Sequence, residues 1–109
     1  MAIDKSLISG STAILILRLL EEKDLYGYEM IDLLRQRSKN VFELKAGTLY
    51  PLLHSLELKG LLCSYESECN GKIRKYYQIT RNGRHYLKEK KQEWKIYAQA
   101  VADVLYAGI

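Results

Sequence analysis

The residues with the clearest capacity for chemistry are cations, and they are concentrated in one part of the chain. Of the 109 residues, segment 72–95 holds nine Lys or Arg and only two Glu, whereas segment 1–71 holds eight Lys or Arg and ten Asp or Glu. Clustered Lys and Arg side chains create a positive field that attracts a polyanion. A solvated helix face is the commoner meaning of a charge run. The charge alone therefore leaves both interpretations open.

A second set of candidate residues lies opposite a leucine stripe. The stripe has the i, i+3, i+4, i+7 spacing of a buried helix face and consists of Leu49, Leu52, Leu53 and Leu56. If it faces the core, the outer side presents Thr48, Tyr50, Pro51, His54 and Ser55. Small polar side chains of this kind can contact base edges and phosphates from within a DNA major groove.

The start of this third helix has two solutions. If Thr48 is the N-cap, Pro51 falls in the first turn, where its missing N–H costs little. If the helix begins near Ala46, Pro51 lies deeper and bends the helix. The sequence leaves this choice open.

The elements around the third helix follow from periodicity and capping. Apolar residues within 5–22, including Leu7 and Ile8, predict a first helix that is buried on most sides. Asp24 can cap a second helix whose apolar positions begin at Tyr26. Thr80 can cap a long last helix over roughly 81–107, in which apolar residues recur at heptad spacing.

Between the third and the last helix the pattern changes to that of two strands. Asn70-Gly71 is the strongest short hairpin signal, and a two-residue turn there pairs Cys69 with Lys72, Tyr65 with Tyr76, and Cys63 with Gln78. The tip of the hairpin carries the cations Lys72, Arg74 and Lys75. A helix in the major groove beside a basic hairpin is the arrangement of a winged helix-turn-helix.

We therefore predict a mainly α fold with a small β-hairpin. Residues 1–80 would form a winged helix-turn-helix domain, and residues 81–109 would form a long C-terminal dimerisation helix. A different class of function stays open at this point, namely a protein-interaction adaptor that pairs its last helix with another protein. A steep salt dependence of binding would distinguish the DNA-binding protein from the adaptor.

Four segments carry a resemblance to a known family. Residues 26–30 (Tyr-Gly-Tyr-Glu-Met), 47–51 (Gly-Thr-Leu-Tyr-Pro), 56–62 (Leu-Glu-Leu-Lys-Gly-Leu-Leu) and 74–80 (Arg-Lys-Tyr-Tyr-Gln-Ile-Thr), with Gly83 and Leu87, resemble the PadR-family transcriptional regulators. The resemblance implies a homodimeric winged-helix repressor of bacterial type, located in the cytoplasm on the nucleoid. It further implies that the third helix enters the major groove of an inverted-repeat operator and that the last helix forms the dimer.

By position, the resemblance assigns roles to individual residues. The expected DNA-binding residues are Tyr28, Lys45, Thr48, Tyr50, Pro51, His54, Ser55, Lys72, Arg74 and Lys75. The expected dimer interface consists of Leu87, Trp94, Tyr97, Val101, Val104 and Leu105. In one respect the chain departs from the family, because Lys45-Ala46 stands where Ser-Pro or a similar capping pair is usual.

The last helix also offers a candidate ligand site at Trp94 and Tyr97. In the drug-sensing branch of the family an aromatic residue lines a pore between the subunits, and Trp94 falls where that residue is expected. A flat cationic ligand could stack on the indole ring, and a small-molecule effector is therefore an expected partner. A lone Trp at a heptad position is more often a packing residue of the dimer core than a ligand-binding residue.

Other functions find little support in the sequence. Cys63 and Cys69 are too far apart along one extended strand to form a disulfide, and with His54 and His85 they make no zinc pattern. No phosphate-binding loop and no nucleophile constellation is present, so we expect no enzyme, no cofactor and no metal. The longest apolar run, Ala13–Leu17, is too short to cross a bilayer, and the first residues do not resemble a secretion signal.

Overall fold

Apart from one short strand between the first two helices, the elements follow one another in the predicted order. The computed structural model describes residues 10–108, so Leu7 and Ile8, expected in the first helix, lie outside the described residues. The elements are α1 (Thr12–Glu22), β1 (Leu25–Tyr26), α2 (Gly27–Arg37), α3 (Ala46–Leu58), β2 (Leu62–Cys69), β3 (Lys72–Ile79) and α4 (Arg81–Leu105). The predicted fold class, mainly helical with a β-hairpin and a long last helix, is confirmed.

The core forms where the apolar faces of the helices and of the hairpin base meet. Leu49, Leu53 and Leu56 of α3 are buried, as the stripe predicts, and Leu52 is half-buried at its margin. They pack in one cluster with leucines and isoleucines of α1 and with the base of the hairpin. Burying each such side chain contributes about 1.5–3 kcal/mol. The opposite side of α3 is thereby left to solvent.

The hairpin has the register that its turn residues predict. Cys69 lies opposite Lys72, Tyr65 opposite Tyr76, and Cys63 opposite Gln78. Asn70 and Gly71 both have positive φ, 53° and 78°, which a two-residue type I′ turn requires and which Asn and Gly accept most readily. We call β2, this turn and β3 the wing.

A third strand, which the sequence analysis missed, completes the sheet. β1 pairs antiparallel with β3, with Leu25 opposite Tyr77 and Tyr26 opposite Tyr76, so the strand order is β1-β3-β2. Two residues are too few to show the alternation by which strands are recognised. β1 runs directly into α2 and therefore ties the first turn of α2 to the base of the wing.

One of the predicted helix starts needs correction. Asp24 does not cap α2, and that prediction was wrong. The helix begins at Gly27, and the backbone N–H of Tyr26 donates to Glu29 Oε1 at 3.1 Å. Asp24 lies two residues before the N-cap residue Tyr26, and its carboxylate accepts a hydrogen bond from the Tyr65 hydroxyl at 2.5 Å.

For α3, the second of the two solutions is the one found. Lys45 stands at the N-cap, the helix begins at Ala46, and Pro51 lies inside it. Thr48 is therefore a helical residue and not the cap. The predicted cap of α4 is confirmed, because Thr80 Oγ1 accepts a hydrogen bond from the backbone N–H of Gly83 at 2.9 Å.

Helix α4 starts in the core and then leaves it. Leu87 is fully buried, whereas most side chains from 88 onward are exposed. At the point of departure, Lys91 Nζ lies 3.1 Å from Glu21 Oε1 at the end of α1. The described part of the chain measures 61 × 32 × 21 Å, which reflects this projecting helix. Among the described residues, no helix is both long and apolar enough to span a membrane.

Candidate nucleic-acid interface

The outer face of α3 carries the polar residues that the leucine stripe places there. Thr48, Tyr50, Pro51 and His54 are exposed and Ser55 is half-buried. Lys45 is exposed just before the first turn. The face is thus free of acidic side chains along its first two and a half turns. It can enter a groove of DNA without placing a carboxylate against phosphate.

Tyr50 is held across the start of α2 rather than extending freely into solvent. A Cβ placed on Gly27 would lie 2.3 Å from the Tyr50 hydroxyl oxygen, so only a glycine leaves room for this ring. Partial burial raises the pKa of Tyr50, and the neighbouring Tyr28 and Tyr77 hydroxyls act in the same direction. The contact fixes the first turns of α3 against α2.

A groove of about 270 Å³ brings the wing and these tyrosines together. We call it the β3 groove, and it is lined by Tyr26, Gly27, Tyr28, Tyr50, Lys72, Ile73, Arg74 and Lys75. Five of the ten expected DNA-binding residues meet here, namely Tyr28, Tyr50, Lys72, Arg74 and Lys75. Lys45, Thr48, Pro51, His54 and Ser55 lie outside its lining, on or just before α3.

The three wing cations reach the groove from opposite faces of β3. Lys72 and Arg74 project to one face and Lys75 to the other, because side chains alternate along a strand. The Arg74 guanidinium lies 4.3 Å from the centre of the Tyr26 ring, and Lys75 Nζ lies 5.5 Å from that of Tyr77. Cation–π contacts of this kind orient the side chains and leave their charge intact. The groove therefore has a positive wall made by β3 alone.

A row of tyrosines holds the wing on the side away from the core. Tyr26, Tyr76 and Tyr65 lie in register across β1, β3 and β2, with ring centres 5.6 and 5.8 Å apart. The Tyr65 hydroxyl donates to Asp24, and this hydrogen bond raises the pKa of Tyr65 to about 12. The row links the base of the wing to the segment that begins α2.

The second candidate site lies between α1 and the exposed part of α4. A cavity of about 760 Å³, the α1–α4 cavity, is lined mainly by Ile14, Trp94, Tyr97, Ala98, Val101, Ala102, Leu105 and Tyr106. The rings of Trp94 and Tyr97 lie 5.9 Å apart, and 46% of the Trp94 surface is exposed. Val104, another expected interface residue, is 80% exposed but does not line this cavity.

Leu87 does not belong with these residues, and its assignment to the dimer interface was wrong. Its side chain has 0% exposure and packs in the chain's own core. The heptad spacing placed it in line with Trp94 and Val101, but α4 is still covered by the domain at that point. A residue with no exposed surface has none to offer a second subunit.

Several residues that line the two sites were not among the expected site residues. Tyr26 and Gly27 lie in the β3 groove because β1 pairs with β3, and Ile14 reaches the α1–α4 cavity from another helix.

Cys63 and Cys69 are free, exposed thiols. Within residues 10–108, no three His, Cys, Asp or Glu side chains come together as a metal-ligand set.

The fold and the exposed face of α3 define a winged helix-turn-helix protein with a projecting C-terminal helix. The family model for PadR-like transcriptional regulators matches residues 16–89, and the chain belongs to this family. It is thus a transcriptional regulator of a family that binds DNA, and the solved structures that it resembles are transcriptional regulators as well.

Three relatives illustrate the similarity. A transcriptional regulator from Clostridium thermocellum is 36% identical and superposes with a TM-score of 0.84, covering 90% of this chain and 96% of its own. A PadR family regulator from Clostridium difficile is 40% identical, with a TM-score of 0.77 over 87% of this chain and 98% of its own. The transcriptional regulator Rv3488 of Mycobacterium tuberculosis is 36% identical over 69 residues, 63% of this chain and 64% of that protein.

Proposed function

We propose that the protein is a homodimeric, sequence-specific repressor that binds an inverted-repeat operator on the bacterial nucleoid, in the cytoplasm. The observation that carries this proposal is the β3 groove. It places Lys72, Arg74 and Lys75 beside the two tyrosines that adjoin the exposed face of α3. This juxtaposition suits a duplex, because a helix in the major groove brings the flanking phosphates against the adjacent wall.

The proposed division of labour follows from side-chain chemistry. Thr48, His54 and Ser55 can donate to or accept from base edges, and such contacts specify sequence. Lys45, Lys72, Arg74 and Lys75 neutralise phosphates and release counterions, which supplies affinity without sequence preference. Tyr28 and Tyr50 present hydroxyl donors to a phosphate at the start of α2, while Pro51 packs without donating.

The proposed dimer forms through the exposed apolar side of α4. Trp94, Tyr97, Val101, Val104 and Leu105 are exposed in the single chain, and a second copy would remove them from water. Two-fold symmetry then presents two copies of α3, which suits half-sites about one DNA turn, roughly 34–36 Å, apart. A dimer bound across a promoter blocks access of the polymerase, which is the basis of the proposed repression.

We propose further that a flat aromatic or drug-like ligand releases the dimer from DNA. The α1–α4 cavity offers the Trp94 and Tyr97 rings at the surface where the second subunit would pack. Such a ligand must favour a spacing of the two reading heads unlike the DNA-bound spacing, since equal affinity for both would shift nothing. Titration with planar cationic dyes should quench the fluorescence of Trp94, which is the single Trp of the chain.

Binding to duplex DNA from upstream of the protein's own gene tests the central proposal. Affinity should fall steeply with added KCl, with a log–log slope set by the number of phosphates neutralised. A random duplex of equal length should bind more weakly with a similar slope. Failure to bind any duplex at low salt would contradict the proposal and favour an adaptor that acts through α4.

A further inference from the structure

Cations of α4 form a line along one flank of the helix that the proposed DNA interface does not use. Their spacing alternates between three and four residues, which keeps side chains on one face of a helix. The line, which we call the α4 cationic line, consists of Arg81, Arg84, Lys88, Lys91 and Lys95. Its side chains are exposed, and it is about 21 Å long at 1.5 Å per residue. No member lines the β3 groove or the α1–α4 cavity.

The glutamates of α4 do not compensate the charge of this line, because they pair with other residues of the helix. Glu89 Oε1 lies 3.0 Å from His85 Nε2. Glu93 Oε1 lies 3.2 Å from Lys90 Nζ. Both pairs join residues outside the line, so the line itself contains cations only.

Arg81, Lys88 and Lys95 have no ion-pair partner within residues 10–108. They recur at intervals of seven residues, about 10 Å along the helix. This interval is comparable with the Debye length at physiological ionic strength, so their fields overlap. Like charges three and four residues apart also destabilise a helix, and the line repeats that spacing along its whole length. An acidic partner would remove this repulsion.

The other two cations of the line show which chemical groups this flank accepts. Lys91 Nζ lies 3.1 Å from Glu21 Oε1, and Arg84 Nη1 donates to the backbone carbonyl oxygen of Glu21 at 3.4 Å. Glu21 lies in the last turn of α1, so the end of an acidic helix already packs against α4. Carboxylates and free carbonyl groups are what the last turn of such a helix presents, whereas the DNA backbone presents phosphates.

We propose that the α4 cationic line is a docking surface for an acidic helix of a second protein. Arg81, Lys88 and Lys95 bind the carboxylates of that helix, which lies along α4 beside the end of α1. The line is separate from the β3 groove, so the protein can hold this partner and DNA at the same time. The surface goes beyond the proposed function and does not depend on it.

The probe for this surface is a labelled synthetic helix of about 20 residues, about 30 Å long. It is built from Ala, with Glu in a single line at alternating intervals of three and four residues. A second helix with Gln in place of every Glu is the control for charge. At low salt the full-length protein should bind the Glu helix and not the Gln helix, as measured by fluorescence anisotropy.

Two variants with the same loss of charge test the position of the cations. The line variant combines Arg81→Gln, Lys88→Gln and Lys95→Gln. The matched control replaces three exposed lysines outside the line and combines Lys23→Gln, Lys39→Gln and Lys59→Gln. The line variant should bind the Glu helix about tenfold more weakly, as expected for the loss of three exposed ion pairs. The matched control should bind it within twofold of the natural sequence.

A wing variant, with Lys72, Arg74 and Lys75 replaced by Gln, separates this surface from the DNA interface. It should lose affinity for a random duplex and keep its affinity for the Glu helix, whereas the line variant should do the reverse. Sedimentation should give the line variant the same oligomeric state as the natural sequence.

Four outcomes would overturn the proposal. If the line variant binds the Glu helix as tightly as the natural sequence does, the line is a solvated helix face. If the matched control loses as much affinity, only net charge matters. If the line variant loses more affinity for duplex DNA than for the Glu helix, the line is a second nucleic-acid surface. If its oligomeric state changes, the line belongs to the interface between two copies. Failure of the natural sequence to bind any duplex contradicts the proposed function instead and does not affect the result with the Glu helix.

Discussion

At the scale of single residues, Gly27 and Tyr50 connect two of the segments that carry the family resemblance, residues 26–30 and 47–51. The ring of Tyr50 fits against Gly27 because glycine has no side chain. The Gly27→Ala variant puts a methyl group 2.3 Å from the Tyr50 hydroxyl oxygen and 2.7 Å from Cζ, so the ring must move. We expect a loss of about 1 kcal/mol in the free energy of unfolding, at the low end for overpacked sites, because the ring that must move is partly exposed. Urea denaturation followed by circular dichroism measures it.

Gly47→Ala is the control for this change. A Cβ at Gly47 meets nothing within 4 Å, and the residue lies inside α3, where Ala stabilises a helix by about 0.5–1 kcal/mol relative to Gly. The two variants should therefore shift stability in opposite directions. If Gly27→Ala is as stable as the natural sequence, the ring of Tyr50 can move away from residue 27 at no cost, and its contact with the start of α2 does not stabilise the fold.

The hydrogen bond from Tyr65 to Asp24 makes stability depend on alkaline pH. The pKa of Tyr65 rises from an ordinary value of 10.0 to about 12 because its protonated hydroxyl donates a hydrogen bond to the Asp24 carboxylate. The protonated hydroxyl stabilises the fold, so its contribution is complete below pH 10 and disappears as pH rises from 10 toward 12. Tyr65→Phe should be less stable at neutral pH and lose less stability across this interval, as measured by urea denaturation.

Tyr97→Phe serves as the comparison, because Tyr97 is exposed on α4, away from the sheet. Its removal should leave the alkaline loss of stability unchanged. An unaltered profile for Tyr65→Phe would instead assign that loss to other tyrosines, such as Tyr50 and Tyr76, whose pKa values burial raises.

At the scale of elements, the wing was predictable and the groove beside it was not. Asn70-Gly71 determines the hairpin register by local backbone geometry, which a sequence displays directly. The groove depends on the pairing of Leu25 and Tyr26 with β3, a contact between segments about fifty residues apart. No local pattern records such a pairing. The start of α3 was ambiguous for a related reason, because Lys45 supplies no side-chain cap to mark it.

A substitution in the wing and a substitution in α3 should have different effects on DNA binding. Lys75→Ala removes a proposed phosphate contact, so it should weaken binding to operator and random duplex equally and lower the salt slope by about one. Thr48→Ala removes a proposed contact to bases and should weaken operator binding by about 1 kcal/mol or more, with little effect on random duplex. Fluorescence anisotropy with both duplexes at several salt concentrations separates the two.

Lys88→Ala is the matched control for the charge. It removes one cation from the same basic segment, but Lys88 lies on α4 and outside the β3 groove. Its effect should be less than that of Lys75→Ala on either duplex. If both lysine variants weaken binding equally, DNA affinity depends on the net charge of the segment and not on the position of Lys75 in the wing.

At the scale of the whole molecule, the basic segment 72–95 divides into two surfaces. Its first part forms the wall of the β3 groove, whereas its second part follows α4 away from the domain. Lys91 of that second part pairs with Glu21 of α1 and so supports the base of the projecting helix. The cations that are contiguous in the sequence therefore lie on two different surfaces of the molecule. This division depends on the tertiary structure and cannot be seen in the sequence.

Leu87 and Val101 share the heptad spacing of α4, yet substitutions at the two positions should have different effects. Leu87→Ala empties space in the core and should cost about 2–5 kcal/mol in the free energy of unfolding. Val101 is exposed in the single chain, so Val101→Asp should leave each subunit folded and abolish the dimer, because the proposed interface would bury an unpaired carboxylate. Sedimentation together with denaturation distinguishes these outcomes. A Val101→Asp protein that still sediments as a dimer would place the interface elsewhere and remove the basis for two reading heads at a fixed spacing.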